Sequence, residues 1–188
     1  MHILAIPATN SRNGINRQLL SHVAQIMKND HEARVELVEV NDYEMPIYSP
    51  EREQAHGVPA EAHQLIDRIS TADGIVISFA EHNGSYSAAW KNLNDWMSRV
   101  DQNVFQRKPT AVLAATPGPR AGAGVLAGAS AYLPHAGADL VGSLGIGRFG
   151  ETFDTGTGTI IDPDIKAQLR TLIDNLATAI PPETSIKE

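Results

Sequence analysis

Residues 74–79, Gly-Ile-Val-Ile-Ser-Phe, carry no charge and no polar/apolar alternation, and they give way abruptly to the polar run Ala80-Glu81-His82-Asn83-Gly84-Ser85. A strand that is apolar on both faces must be covered on both faces, as in a parallel sheet held between helix layers. Similar runs occur at residues 3–6, at Val35, Leu37, Val38 and Val40, at residues 110–115, and from Asp139 onward. Segments of helical period separate them. Ile15, Leu19, Leu20, Val23, Ile26 and Met27 form one stripe, and Ala62, Leu65, Ile66 and Ile69 form another behind Pro59. An amphipathic helix is predicted from about Tyr86 to Arg99, a small-residue helix over 121–132, and a closing helix over 165–180 behind Asp162-Pro163. The stretch through Pro46, Pro50 and Gly57 offers no regular element.

This alternation predicts an α/β fold, a doubly wound five-stranded parallel sheet of flavodoxin-like order with helices on both faces. An eight-unit barrel typically needs about 250 residues, and the chain has 188. Its 42% hydrophobic content suits one domain over residues 1–188, with residues 181–188 expected as a disordered tail. The formal charge is −7 and no basic block exceeds Arg107-Lys108, so nucleic acid and anionic membrane surfaces are not expected partners. Cysteine is absent, which excludes disulfides, thiolate metal sites and cysteine nucleophiles, and leaves a cytoplasmic protein as the simplest reading. Neither a signal-peptide pattern at the start nor a membrane-spanning run is expected.

Open α/β sheets bind ligands beyond the carboxyl ends of their strands. After the first strand, the turn Pro7-Ala8-Thr9-Asn10-Ser11-Arg12-Asn13-Gly14-Ile15-Asn16 opens a helix, and hydroxyls with unpaired helix-start amides suit a phosphate there. The same residues also suit an ordinary helix cap. A G-x-G-x-x-G dinucleotide fingerprint is missing, although Glu39 and Asp42 lie at about the distance of a ribose-binding acid. The glycines of Gly122-Ala123-Gly124-Val125-Leu126-Ala127-Gly128 read as spacing for close helix packing rather than as a nucleotide turn. The preceding Thr116-Pro117-Gly118-Pro119-Arg120 is the better ligand-lining loop. The seven histidines lack metal-ligand spacing, and Ser78, Ser85 and Ser87 lack a nucleophile elbow. Glu81 and Asp95 read as a loop carboxylate and a hydrogen-bonded helix carboxylate rather than an acid/base pair.

The segment Trp90-Lys91-Asn92-Leu93-Asn94-Asp95-Trp96-Met97-Ser98-Arg99 resembles the L-K-N-A-I-D-W-x-S-R segment of the NADPH-dependent FMN reductases at six positions. Ala80-Glu81-His82-Asn83-Gly84-Ser85 resembles that family's P-E-Y-N-x-S loop, and Pro46-Ile47-Tyr48 its P-x-Y segment. The first turn aligns to G-S-x-R-x-x-S-x-N with Thr9 for the serine and Asn16 retained. Ser11 stands where the family has arginine, with Arg12 one position later, and Gly14 replaces its second serine. Ala80 and His82 replace the proline and tyrosine of the flavin loop.

The resemblance implies bound FMN, NADPH or NADH as electron donor, a small-molecule acceptor such as a flavin or quinone, and a homodimer or homotetramer. It places the FMN phosphate at Thr9, Ser11, Arg12, Gly14, Ile15 and Asn16. The isoalloxazine would lie along Ala80, Glu81, His82, Asn83 and Ser85, and along Thr116, Pro117, Gly118 and Arg120. No side chain is expected as a catalyst, because the flavin carries the chemistry. A flavodoxin-like electron carrier and a flavin-free structural or regulatory oligomer are the alternatives. Oligomerisation is further expected from Trp90, Trp96 and the small-residue helix, read as exposed apolar faces.

Overall fold

The computed structural model describes residues 1–182; the last part of the expected tail, residues 183–188, lies outside the described residues. In chain order the elements are β1 (His2–Ala8), α1 (Ile15–His31), β2 (Arg34–Leu37), a 3-10 turn (Val40–Tyr43), α2 (Pro50–His56), α3 (Ala60–Thr71) and β3 (Gly74–Phe79). Then come β4 (Glu81–His82), β5 (Ser85–Tyr86), α4 (Ala88–Val100), β6 (Pro109–Ala115), α5 (Ala123–Tyr132) and β7 (Asp139–Ile146). The chain continues through α6 (Phe149–Thr152), β8 (Phe153–Asp154), β9 (Thr159–Ile160) and α7 (Pro163–Ala179).

Five strands form one parallel sheet in the order β2-β1-β3-β6-β7. The chain moves outward from β1 to β2 and then returns past β1 to β3, so the strand order reverses between β1 and β3, where such sheets open a ligand crevice. The unalternating strands are explained by two cores. Leu4, Ile6, Ile75, Ile77, Phe79, Val112 and Ala114 pack against α3, α4 and α5 on one face. Ile3, Ala5, Val76, Ala111, Leu113 and Ala115 pack against α1 and α7 on the other. Each large apolar side chain buried this way contributes roughly 1.5–3 kcal/mol relative to exposure.

Helix ends follow local chemistry. Asp162 accepts from the Asp164 and Ile165 amides, both at 3.0 Å, and Pro163 presets the first turn of α7. Glu32, at φ 53, ends α1 in the left-handed region.

Four expectations are corrected. Val38 and Val40 leave the second strand: β2 stops at Leu37, and the Val38 amide, bonded to the Ala5 carbonyl at 2.9 Å, leads into the 3-10 turn. The segment taken as irregular contains α2, whose start is capped by Ser49 and Pro50. The helix expected from Tyr86 begins at Ala88, because residues 81–86 form a hairpin in which Asn83 and Gly84 take φ values of 53° and 76°. Positive φ at both central residues is the twist-matching hairpin turn that Asn-Gly favours. Finally, Trp90 and Trp96 are both 1% exposed and belong to the chain's own core, so they form no apolar patch. Trp90 meets Phe79 edge-on at 5.3 Å and Trp96 meets Tyr48 at 5.0 Å.

Candidate functional site

Three loops at the carboxyl ends of β1, β3 and β6 enclose a cleft of about 560 Å³. Thr9, Ser11, Gly14, Ile15 and Asn16 line it from the first loop, Ala80, Glu81 and His82 from the second, and Thr116, Pro117, Gly118 and Arg120 from the third. Asn10 and Pro119, members of the two loops expected from the sequence, line it as well, and so does Ala115 at the end of β6, which the sequence places only in a strand. Arg12, Asn83 and Ser85 are exposed and do not line it.

The first loop ends in a helix start without a side-chain cap. Gly14 occupies the N-cap position of α1, no side chain bonds there, and the first turn contains no acid. The amides of Arg12, Asn13, Ile15 and Asn16 have no acceptor among the described residues. Unpaired donors at the positive end of a helix dipole form an anion site. Thr9 is buried and accepts from the Ser11 amide at 3.2 Å, which fixes the turn. A side chain at Gly14 would bring a Cβ to 3.1 Å from Ser11 Cβ and Oγ.

Arg12 is exposed and lies outside the cleft lining, and its charge is one of several near Glu39. Burial works to raise the Glu39 carboxyl, but hydrogen bonds from the Asn41 amide and side chain, then Arg17 and Arg12, hold it below its ordinary range.

Asn16 is buried, and its side chain ties the start of α1 to two strand ends, those of β3 and β6. Its Nδ2 donates to the Ala115 carbonyl at 3.1 Å, while its Oδ1 accepts from the Ala115 amide and from Ser78 Oγ, both at 2.8 Å. The side chain is therefore committed to the scaffold, and its backbone N–H faces no such demand.

The second loop is the β4–β5 hairpin, fixed at both ends. Glu81 Oε1 accepts from the Val125 amide at 3.0 Å. Ser87 Oγ donates to the Ala8 carbonyl at 2.8 Å and accepts from the Trp90 amide at 3.2 Å, tying the hairpin's exit to β1 while capping α4. The third loop is held from beneath: Thr116 Oγ1 donates to the Gly118 carbonyl at 3.1 Å, and the Arg148 amide bonds the same carbonyl at 3.0 Å. Ser87 carried a sequence signal as a helix N-cap; the partnership of Glu81 with Val125, 44 residues away, carried none.

The segment 90–99 that resembles the reductases does not line the cleft. Asn92 bonds the Met45 and Pro46 carbonyls and the Tyr48 amide, and Trp96 Nε1 donates to the Pro46 carbonyl at 2.7 Å. Lys91 and Asp95 pair along the helix at 2.6 Å. The segment staples α4 to residues 45–48. Asp95 is therefore no acid/base partner of Glu81.

A flavodoxin-like sheet with an anion-ready turn at its switch point, faced by two backbone-rich loops, defines the class of flavin-binding α/β proteins. The comparisons narrow this class. Residues 1–148 match the model of the NADPH-dependent FMN reductase family, and the chain belongs to that family.

The chain is similar to the NADH:(hydroxy)cinnamate reductase subunit CrdA of Vibrio ruber, 32% identical over 118 residues, covering 63% of this chain and 55% of the relative. It is also similar to the quinone reductase of Escherichia coli K12, 34% identical over 80 residues, covering 43% of each. The chain thus spans about half the length of these curated relatives. Among solved structures, FerB, a flavoenzyme NAD(P)H:(acceptor) oxidoreductase from Paracoccus denitrificans, superposes with a TM-score of 0.77 at 22% identity, covering 95% of this chain and 96% of that one. The apo form of the NADH:FMN oxidoreductase EMOB gives a TM-score of 0.71 at 19% identity, covering 98% and 92%. Both share the fold.

Proposed function

We propose that the protein is an FMN-dependent NAD(P)H oxidoreductase that passes hydride from NADPH or NADH to a flavin, quinone or similar small acceptor. The observation that carries this reading is the α1 start, with its free amides and no capping side chain, opening into the cleft at the β1/β3 switch point. A phosphate supplies the missing acceptors there. Family membership and the reductase relatives support the same reading.

When bound, FMN supplies the hydride and electron transfer. The chain's own work is binding and orientation. The free amides of Ile15 and Asn16, with the Ser11 hydroxyl, would hold the phosphate, and Gly14, whose own amide bonds the Ser11 carbonyl, would shape the turn beneath it. Ala80 to His82 and the Thr116 to Arg120 loop would frame the ring with main-chain groups, whose donors survive the Ala80 and His82 replacements. Pro117 and Pro119 give no amide, so Gly118 and Arg120 are the donors left on that wall. Arg12, Asn83 and Ser85 stand at the rim and would contribute outer contacts.

With the tryptophans buried, support for a homodimer or homotetramer comes from the family and from the exposed Ala123, Ala127, Gly128 and Ala131 of α5; light scattering checks it. Among the described residues no helix is long and apolar enough to cross a membrane. Titrating the purified chain with FMN and following fluorescence quenching tests the cofactor: saturable quenching is expected, and its absence overturns the reading.

A further inference from the structure

We infer that Glu81 is a positioning residue whose carboxylate locks the β4–β5 hairpin to the start of α5, so that two walls of the cleft move as one unit. This rests on the flavin reading for its effect on FMN, but the lock itself does not.

α5 has no cap of its own. Its N-cap residue is Gly122, in the left-handed region at φ 70, with no side-chain bond, and the first turn holds no acid. The cap comes instead from Glu81 Oε1, which accepts from the Val125 amide at 3.0 Å in the first turn of the helix. A carboxylate there also meets the positive end of the helix dipole.

The neighbouring surface is shaped for this contact. At Gly124 a Cβ would lie 2.7 Å from both Glu81 Oε1 and the Gly84 carbonyl oxygen, so only glycine lets the hairpin seat on the helix. Gly122 is similarly pressed: its Cβ would come within 2.5 Å of Ala114 Cβ at the end of β6. The helix start therefore touches the hairpin on one side and β6 on the other. The loop over 116–122 is the chain between β6 and α5, so fixing α5 against the hairpin fixes that loop against residues 80–82. Glycines 122 and 124, unused by a nucleotide reading, are accounted for by this seat.

Losing the lock leaves the hairpin several positions, of which one matches the ligand. Apparent affinity then falls by the fraction of chains in that position. Loss of one helix cap corresponds to about tenfold.

Glu81→Ala and Glu81→Gln, made in the full chain, test the inference by two readouts. The first is hydrogen exchange at the Val125 amide without cofactor. The second is the FMN dissociation constant by quenching. The inference expects Glu81→Ala to speed Val125 exchange and to weaken FMN by about tenfold, and Glu81→Gln, which keeps an acceptor oxygen, to restore both to within about threefold of wild type. Unchanged Val125 exchange in Glu81→Ala overturns the lock. Faster exchange with unaltered FMN affinity overturns the coupling to the cleft. A glutamine variant that restores Val125 exchange yet binds FMN as weakly as the alanine variant also contradicts it, because the carboxylate would then act on the ligand directly. A wild-type chain that binds no FMN overturns the flavin reading instead, and Val125 exchange still decides the lock.

Discussion

The side-chain amide of Asn16 pairs with the backbone of Ala115 in both directions, donating to its carbonyl at 3.1 Å and accepting from its amide at 2.8 Å. One side chain at the second position of α1 thereby bonds Ala115 on the side where the β3–β6 register has ended at Phe79 and Ala114, while Ile146 of β7 pairs it on the other. Ser78 completes the junction. The turn that opens α1 and the third loop are thus registered to one another through scaffold bonds.

Asn16→Ala leaves the buried Ala115 N–H and C=O without this partner and is expected to destabilise the fold by about 2–4 kcal/mol, because unsatisfied buried groups cost about 1–3 kcal/mol each. Ser78→Ala, which removes one of two donors to Asn16 Oδ1, should cost about 1 kcal/mol. Urea unfolding of the two single variants and the double variant checks this. A sum equal to the double variant's loss would contradict a shared junction.

Gly124→Ala opposes two effects. In an open helix the change gains roughly 0.5–1 kcal/mol. Here the new Cβ meets the Gly84 carbonyl and Glu81 at 2.7 Å, and the former is backbone. Overpacking of this kind costs about 1–3 kcal/mol and wins. The expected result is a lower unfolding midpoint together with weaker FMN binding; a stabilised variant would show that the hairpin yields freely.

Arg12→Ala should weaken FMN by less than about fivefold, since an exposed charge is screened and this residue does not line the cleft. Quenching titrations at two salt concentrations measure it. A loss of a hundredfold would place Arg12 on the phosphate despite its one-residue offset.

His22 is buried on α1 with neither ring nitrogen hydrogen-bonded among the described residues, its ring edge-on to Phe153 at 6.2 Å. Burial, then the charges of Lys166 and Arg170, push its pKa below the ordinary 6.5. As pH falls through that ordinary value the unfolded chain takes up the proton first, so stability present above about 6.5 is lost on acidification. Glu39, also depressed, adds a separate loss only below its ordinary 4.5. His22→Leu should remove the upper phase and raise stability by about 1 kcal/mol by deleting an unsatisfied buried group. Urea midpoints between pH 5 and 7 that still fall equally in the variant would contradict this assignment.

Much of this molecule was readable before any coordinates. Strands such as Gly74–Phe79 declared themselves because both faces are buried, and the three cleft loops followed from the carboxyl-end rule. What failed did so for nameable reasons. Val38 and Val40 have strand propensity, yet both are buried beyond the end of β2, Val38 in the link after it and Val40 in the 3-10 turn. Asn83-Gly84 is a local hairpin signal that the helical pattern from Tyr86 obscured. The tryptophans were mistaken for surface because periodicity gives a face but not its cover. The clearest family signature, residues 90–99, proved to be a scaffold staple through Asn92 and Trp96. Long-range bonds such as Glu81 to Val125 leave no sequence period to read.

An FMN held in this cleft and presented to a nicotinamide donor is reduced by that donor within the loaded protein. Anaerobic mixing of the FMN-loaded protein with NADPH, and separately with NADH, while flavin absorbance is followed, tests it most directly. Rapid bleaching with at least one donor is expected, with recovery when a quinone is added. A chain that retains no FMN, or a loaded flavin that stays oxidised with both donors, would contradict it.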